Sequence, residues 1–311
     1  ALAGHGRVVF ITGEAGSGKT SLIQEFSRRT QAAYAELCVA SGNCNAYTGI
    51  GDPYLPFREI LELLTGKIEA GLAAGAITRE HALRLWNTLP EAVQALTEAG
   101  PDLIDTLLLR EALLERATTY TSAKPGWLTH LMELLDRKQA PEMIGTGLQQ
   151  IDLFEQYTTV LQILASQRPI ILVLDDLQWA DLGSVSLLFH LGRRLAGNRI
   201  LILGAYRPEE VTVVKTGTRH AIEPVINEFR RLYGDLEVNV DCSENREFVD
   251  ALINSEPNHL GPSFRKMLLQ QTGGHPLFTV ELLRGMQERG DLAKDANQYW
   301  IEGASLDWDT L

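Results

Sequence analysis

The sequence predicts an α/β fold with a five-stranded parallel sheet, and three observations support this fold class. Short β-branched and apolar runs alternate with stretches of helical periodicity, as in strands that are joined by crossover helices. The run Ile170–Leu174 is continuously apolar, which is typical of a strand covered on both faces. Finally, the first strand, Val8–Ile11, ends in a glycine-rich turn, and helical periodicity begins at Lys19.

Each strand is predicted from apolar or β-branched residues bounded by turn residues. The strands lie at Val8–Ile11, Tyr34–Val39, Ile170–Leu174, Ile200–Tyr206 and Leu236–Val240. Helices are predicted where apolar residues recur every three or four positions. One helix begins at Lys19, and the others lie at Phe57–Leu64, Leu148–Ser166, Leu182–Leu195 and Ala221–Leu232. The stretch Ser41–Pro56 is predicted as a loop because it contains glycine, asparagine and proline.

Two regions depart from this alternation. Residues 66–148 show no strand pattern, so we expect a helical insertion that is broken by prolines at Pro90, Pro101, Pro125 and Pro141. From Ser243 onward only helices are predicted. We therefore expect a domain boundary near residue 242, with an α/β core over residues 1–242 and a small helical domain over residues 243–311.

The composition excludes several classes of protein. The 311 residues include 28 Lys and Arg against 40 Asp and Glu, a formal net charge of −12, which argues against direct nucleic-acid binding by this chain. The longest apolar runs, Pro169–Leu174 and Ile200–Ala205, are far shorter than the roughly 20 residues of a membrane span. Neither a nucleic acid nor a membrane is therefore an expected partner.

The cysteine pattern and the start of the sequence indicate in which cellular compartment the protein resides. Cys38, Cys44 and Cys242 are an odd number without a CxxC pair, so neither a disulfide framework nor a zinc site is expected. No signal peptide opens the chain, which begins at Ala1. We expect a piece of a longer protein that resides in the reducing cytoplasm.

The glycine-rich turn matches the phosphate-loop pattern GxxxxGK[ST] at every position. The predicted phosphate-binding residues are Gly13, Glu14, Ala15, Gly16, Ser17, Gly18, Lys19, Thr20 and the following Ser21. Glycines let successive backbone N–H groups face phosphate oxygens, and the helix N-terminus adds its dipole. Lys19 is expected to reach the β- and γ-phosphates, and the Thr20 hydroxyl to bind Mg²⁺. One alternative is a plain glycine-rich turn followed by an ordinary lysine. A dinucleotide-binding glycine loop is the other, and the Lys-Thr pair decides against it.

An acidic pair follows the third predicted strand. Asp175 and Asp176 come directly after Ile170–Leu174, at the strand end where ligands of parallel sheets bind. Asp175 is predicted to hold Mg²⁺ through water, and Asp176 to orient or deprotonate an attacking water. The alternative is that both acids only solvate a loop. Asp181, further along, is interpreted as the N-cap of the next helix.

An arginine stands at the end of the fourth predicted strand. Ile200–Tyr206 is followed by Arg207 and by Pro208, which stops the strand. A guanidinium offers several fixed donors to phosphate oxygens, so Arg207 is predicted to stabilise or sense a γ-phosphate. The alternative is a surface ion pair with Glu209 or Glu210.

Taken together, these motifs resemble the signal-transduction ATPases with numerous domains (STAND), a branch of the AAA+-like P-loop ATPases. The resembling segments are the phosphate loop, Leu174–Asp181, Ala205–Pro208, Asp52–Leu61 after the second strand, the GxP-like Gly273–Phe278, and Gln298–Glu302, whose Trp300 is similar to the tail preceding a winged helix. A glycine-arginine segment usually precedes the phosphate loop in that family, and this sequence starts after its position. The helical insertion matches no segment of the family.

The resemblance implies a strand order and further site residues. The strand of Arg207 would lie between the phosphate-loop strand and the strand of Asp175, beside the γ-phosphate. Pro276 would approach the adenine or ribose, and His275 would lie near the phosphates. From the residues alone, Gly273–Pro276 is equally a helix stop followed by a helix start.

The function expected from these features is an ATP-driven molecular switch. ATP and Mg²⁺ would bind between the α/β core and the small helical domain and favour a homo-oligomer, whereas hydrolysis to ADP would favour a closed monomer. Sensor or effector domains would lie outside this sequence. The alternatives are a scaffold that holds ADP without turnover and a DNA-linked AAA+ ATPase, and the choice between ATP and GTP stays open.

Overall fold

A computed structural model describes residues 2–46, 53–121, 123, 125–139, 149–212, 220–242, 245–303 and 306–308. The backbone divides into two units. An α/β unit contains Ala1–Ile11 and Ile23–Val238, and a C-terminal unit contains Asn239–Leu311 together with the short segment Thr12–Leu22. The phosphate loop therefore belongs to the C-terminal unit.

The sheet has five parallel strands in the order β2-β3-β4-β1-β5. The strands are β1 (Arg7–Thr12), β2 (Cys38–Asn43), β3 (Ile170–Asp175), β4 (Ile200–Tyr206) and β5 (Glu237–Asn239). β3 is buried along its whole length, as its continuous apolar run predicts. The fold class predicted from the sequence is confirmed, and so is the strand order implied by the resemblance, because β4 lies between β1 and β3.

Helices pack around the sheet up to residue 233, and most of them form one large apolar core with it. They are α1 (Lys19–Ala33), α2 (Leu55–Leu64), α3 (Glu69–Ala73), α4 (Arg79–Ala99), α5 (Leu103–Thr106), α6 (Arg110–Tyr120), α7 (Gly126–Gln139), α8 (Gln150–Gln167), α9 (Leu182–Gly192), α10 (Pro208–Thr212) and α11 (Ile222–Tyr233). Helices α3 to α7 occupy the predicted insertion. Within the described residues, no helix combines the length and apolarity of a membrane span.

The predicted helix break at Pro90 is wrong, because Pro90 lies inside α4. A proline in a helix interior costs about 3 kcal/mol. The buried face of α4, which includes Leu85, Leu89 and Val93, offsets this cost through packing. Pro101 and Pro125 do lie outside helices, whereas Pro141 and the predicted helix start at Leu148 lie outside the described residues.

The second strand is displaced from its prediction. β2 runs over Cys38–Asn43 instead of Tyr34–Val39, so part of the predicted loop is strand. The end of β2 was not predicted because it consists of Ser, Gly and Asn, which are poor strand formers. Gly42 is required there, because a Cβ would lie 2.0 Å from the Pro56 carbonyl oxygen. Pairing with β3, in which Gly42 is opposite Leu174, therefore decides the strand.

The C-terminal unit has its own apolar core, and it is not purely helical as predicted. Its helices are α12 (Asn245–Asn254), α13 (Pro262–Thr272) and α14 (Pro276–Arg289), followed by an antiparallel hairpin of β6 (Leu292–Lys294) and β7 (Trp300–Glu302). Strands of three residues are too short to show a period of two. The hairpin turn is stabilised by the Asp295 carboxylate, which accepts hydrogen bonds from the Asn297 and Tyr299 N–H groups.

Candidate functional site

The phosphate loop connects β1 to α1 and is closed by its own lysine. Lys19 is 7% exposed, and its ammonium donates hydrogen bonds to the carbonyl oxygens of Gly13 at 2.8 Å and Glu14 at 2.6 Å. The Ser17 N–H donates to the Glu14 carbonyl at 3.3 Å. The chain thus curls around a buried positive charge at the N-terminus of α1, where the helix dipole also favours an anion.

Gly16 and Gly18 of the loop adopt backbone conformations that other residues rarely adopt. Gly16 has φ of +77° and Gly18 has φ of +93°. A Cβ on Gly16 would also lie 2.8 Å from the Leu277 Cβ. Among the described residues, the Ser17 hydroxyl beside them is buried and has no hydrogen-bond partner. A glycine cradle with a buried lysine and an unsatisfied hydroxyl suits the oxygen atoms of a phosphate chain.

An aspartate after β5 holds the start of the loop. The Glu14 N–H donates to both carboxylate oxygens of Asp241, at 3.1 and 3.0 Å. A Cβ on Gly13 would lie 2.9 Å from Asp241 Oδ1 and 2.6 Å from Val240 Cγ2, so this approach requires glycine. Asp241 and Glu14 are 227 positions apart in sequence, and no local motif marks the contact.

The start of α14 contacts the middle of the loop. The His275 Nε2 lies 3.0 Å from the Ala15 carbonyl oxygen, and the Leu277 N–H donates to the Gly16 carbonyl at 3.2 Å. Because a carbonyl oxygen only accepts, this hydrogen bond requires a proton on His275 Nε2. Gly273 ends α13 with φ of +61°, and Pro276 opens α14 at its first position. The helix stop and start expected from the residues is confirmed as local structure.

The acidic pair lies at the end of β3 in the α/β unit. Asp175 is the last residue of the strand and is 8% exposed, and its Oδ1 accepts the Asp176 N–H at 2.9 Å. Asp176 has φ of +55°, a left-handed conformation that aspartate tolerates better than most residues. Such a backbone conformation persists only where the surrounding structure holds it, and such conformations cluster at functional sites. Asp176 then opens a 3₁₀ turn at Leu177–Trp179.

Gln178, in this turn, joins the ends of β3 and β4 and was not identified from the sequence. Its side chain is 4% exposed. Its Nε2 donates to Asp176 Oδ1 at 2.7 Å, and its Oε1 accepts the Arg207 N–H at 3.2 Å. The backbone carbonyl of Gln178 lies 3.0 Å from the His220 Nε2.

Arg207 follows β4 and pairs with acids on both sides. Its Nη1 lies 2.7 Å from Glu210 Oε1, and its Nη2 lies 4.0 Å from Asp176 Oδ1. The ion pair with Glu210, which was one of the alternatives predicted for Arg207, is therefore present. The α/β unit thus brings Asp175, Asp176 and Arg207 to one edge of the sheet, at the carboxyl ends of β3 and β4.

Two further residues near the acidic pair have structural roles. Asp181 accepts the Ser184 N–H at 2.9 Å, so the predicted N-cap of α9 is confirmed, and it also accepts the Tyr54 N–H at 3.3 Å. Burial raises the pKa of the Cys44 thiol, and the carboxylates of Asp181 and Asp176 raise this pKa further. Cys44 therefore stays protonated at neutral pH and is no candidate nucleophile.

The sheet, the loop after β1 and the acid at the end of β3 define the class of P-loop NTPases. The model of the AAA ATPase domain matches residues 1–203, and the chain belongs to this family. The matched range contains the phosphate loop, Asp175 and Asp176, and it ends before Arg207.

A relative extends the similarity over most of the chain. The uncharacterized protein R02095 of Rhizobium meliloti (strain 1021) is 26% identical over 299 residues, which are 92% of this chain and 23% of that relative. The chain therefore spans less than a quarter of the length of this relative.

Proposed function

We propose that the chain binds ATP with Mg²⁺, hydrolyses it slowly and acts as a STAND-type molecular switch. The observation that carries the proposal is the contact between the phosphate loop and the start of α14, through Ala15 with His275 and Gly16 with Leu277. Phosphates bound by the loop would act on these two carbonyl groups. The nucleotide state would thereby bias the arrangement of the C-terminal helices.

The binding roles follow from the donors of the loop. Lys19 would exchange the Gly13 and Glu14 carbonyl oxygens for β- and γ-phosphate oxygens. The N–H groups at the start of α1, from Gly18 to Ser21, and the Ser17 hydroxyl would add further hydrogen bonds. His275 and Pro276 would border the nucleotide near the phosphates and the base or ribose.

The residues present also fit a magnesium ion that arrives with the nucleotide. Among the described residues, no group of three or more His, Cys, Asp and Glu side chains could hold a metal alone. Mg²⁺ usually takes one or two protein ligands and completes its shell with phosphates and waters. Thr20 and Asp175 would supply those protein contacts. The ion would neutralise charge on the phosphates during transfer.

Hydrolysis would be carried out from the carboxyl ends of β3 and β4. Asp176 would orient the attacking water and accept its proton. Arg207 would turn from Glu210 to the γ-phosphate and stabilise its charge. The position of β4 between β3 and β1 supports this division of roles.

The switch would act within a larger cytoplasmic protein. We expect ATP to favour a homo-oligomer and ADP a monomer, with sensor or effector domains supplied by other parts of the longer protein. No membrane or nucleic-acid partner is proposed for this chain, in keeping with its net charge of −12.

The proposal is tested by measuring steady-state phosphate release with ATP and with GTP, and the oligomeric state in ATP and in ADP. We expect ATP-dependent release at a low rate and a larger species in ATP. Tightly bound ADP without release would indicate the scaffold alternative. Release that depends on added DNA would indicate the DNA-linked ATPase, and binding of no nucleotide would overturn the proposal.

Loss of the Asp241 carboxylate is expected to weaken nucleotide binding. In Asp241→Ala the Glu14 N–H loses its acceptor, and the loop becomes less preorganised. Because Asp241 is exposed, the loss should be modest, about fivefold in Kd for a fluorescent ADP analogue. Asp241→Asn keeps an acceptor oxygen and should retain most of the affinity. The exposed Asp136→Ala serves as control, and equal affinities in all three variants would remove Asp241 from this role.

A further inference from the structure

We propose that Gln178 is a positioning residue for ATP hydrolysis, which holds the Asp176 carboxylate and the backbone of Arg207 in one arrangement. The inference rests on the proposed function, because Asp176 and Arg207 receive their roles there. Gln178 itself touches neither phosphate nor water in this proposal. It acts through the hydrogen bond from Nε2 to Asp176 Oδ1, 2.7 Å, and the hydrogen bond from Arg207 N–H to Oε1, 3.2 Å.

The two partners fix the orientation of the Gln178 amide. A carboxylate oxygen only accepts hydrogen bonds, and a backbone N–H only donates them. A flipped amide would therefore place its oxygen against the Asp176 carboxylate and its NH₂ group against the Arg207 N–H. Both contacts would become repulsive in a side chain that is 4% exposed. Only one orientation of the Gln178 amide forms hydrogen bonds with both Asp176 and Arg207.

This amide limits the freedom of the Asp176 side chain. The Asp176 carboxylate is 43% exposed, so packing alone does not hold it. Its backbone is fixed in the left-handed region, and the bond from Gln178 then fixes Oδ1. The second carboxylate oxygen is left to meet a water in a defined direction, which is what a general base requires.

The turn that carries Gln178 is itself anchored. The Gln178 carbonyl is bonded by the His220 ring at 3.0 Å. Leu177 is packed so closely on β4 that a Cβ on Gly204 would lie 2.6 Å from Leu177 Cδ1. A shift of Arg207 would therefore reach Asp176 through the buried amide. Two further carboxylates contact this network among the described residues: Glu210 pairs with Arg207, and Asp175 accepts the Asp176 N–H.

Two substitutions separate positioning from packing. Gln178→Glu is nearly isosteric but replaces the donor to Asp176 by an acceptor, and Gln178→Met keeps the length and removes both bonds. We expect the single-turnover hydrolysis rate to fall about tenfold or more in each variant, while the Kd for ATP changes by less than about twofold. Gln162→Met on α8, which loses only an exposed hydrogen bond to the Arg194 carbonyl, is the matched control. Thermal melting shows that each variant is folded, and Gln178→Glu carries the test if Gln178→Met is not.

A double-mutant cycle with Asp176→Asn decides whether Gln178 acts through Asp176. If it does, Gln178→Glu will not slow the residual rate of Asp176→Asn further. Rate losses that multiply would instead show an independent structural role and overturn the inference. An unchanged rate in Gln178→Glu would overturn it while leaving the proposed ATPase intact. Absence of hydrolysis by the unsubstituted protein would overturn both.

Discussion

Replacing Lys19 with alanine is expected to abolish nucleotide binding. The Lys19 ammonium is buried and lies within 2.8 Å of the Gly13 and Glu14 carbonyl oxygens, at the centre of the loop. Removing a buried charge that pairs with phosphates costs about 3 kcal/mol or more, so the Kd for ATP and for ADP should rise about a hundredfold at least. Titration with a fluorescent ADP analogue measures this loss.

The control for this substitution is another lysine-to-alanine change. Lys67 pairs with Glu62 at 2.8 Å, and its side chain is 51% exposed, so Lys67→Ala removes a charge without touching the loop. Its nucleotide affinity should equal that of the unsubstituted protein. If Lys19→Ala binds nucleotide with unchanged affinity while remaining folded by circular dichroism, the phosphate loop is not the binding site.

Asp176→Asn is expected to leave nucleotide binding intact and to remove turnover. The asparagine oxygen can still accept the hydrogen bond from Gln178, so the local geometry should survive. An amide cannot accept the proton of the attacking water, and loss of a general base lowers rates by about a hundredfold or more. Phosphate release is measured with ATP in excess, and binding is measured separately with the same analogue.

This second result also distinguishes the two acids. Asp175→Asn should weaken Mg²⁺-dependent binding as well as turnover, because Asp175 is assigned to the metal. Asp235→Asn, an exposed change before β5, is the control and should alter neither quantity. Hydrolysis at the normal rate in Asp176→Asn would remove Asp176 from the role of base.

The predicted residues of the candidate site come from local patterns. The residue types of GxxxxGK[ST] and the apolar run before Asp175 are contiguous, so the sequence displays them directly. The N-cap role of Asp181 is local as well. Asp241 and Gln178 were not predicted for a physical reason: each makes its hydrogen bond through a tertiary contact, and the partner of Asp241 lies 227 positions away.

The fold was likewise predictable only where local and tertiary preferences agree. The strand Ile200–Tyr206 was predicted at its true bounds, since its apolar run matches a buried position. Proline is unfavourable inside a helix and glycine is unfavourable inside a strand. Packing of α4 outweighs this preference at Pro90, and pairing of β2 with β3 outweighs it at Gly42. The hairpin of β6 and β7 is too short to leave a periodic signal.

The contacts of the loop determine where a shorter fragment of this protein can be cut. The family match ends at residue 203, and a truncation there would delete Asp241, His275 and Leu277, which hold the backbone of the loop at three points. The end of the family match is therefore too early a boundary for a fragment that keeps these contacts. The shortest fragment that retains these three contacts to the phosphate loop must extend beyond Leu277, through the end of α14 at Arg289.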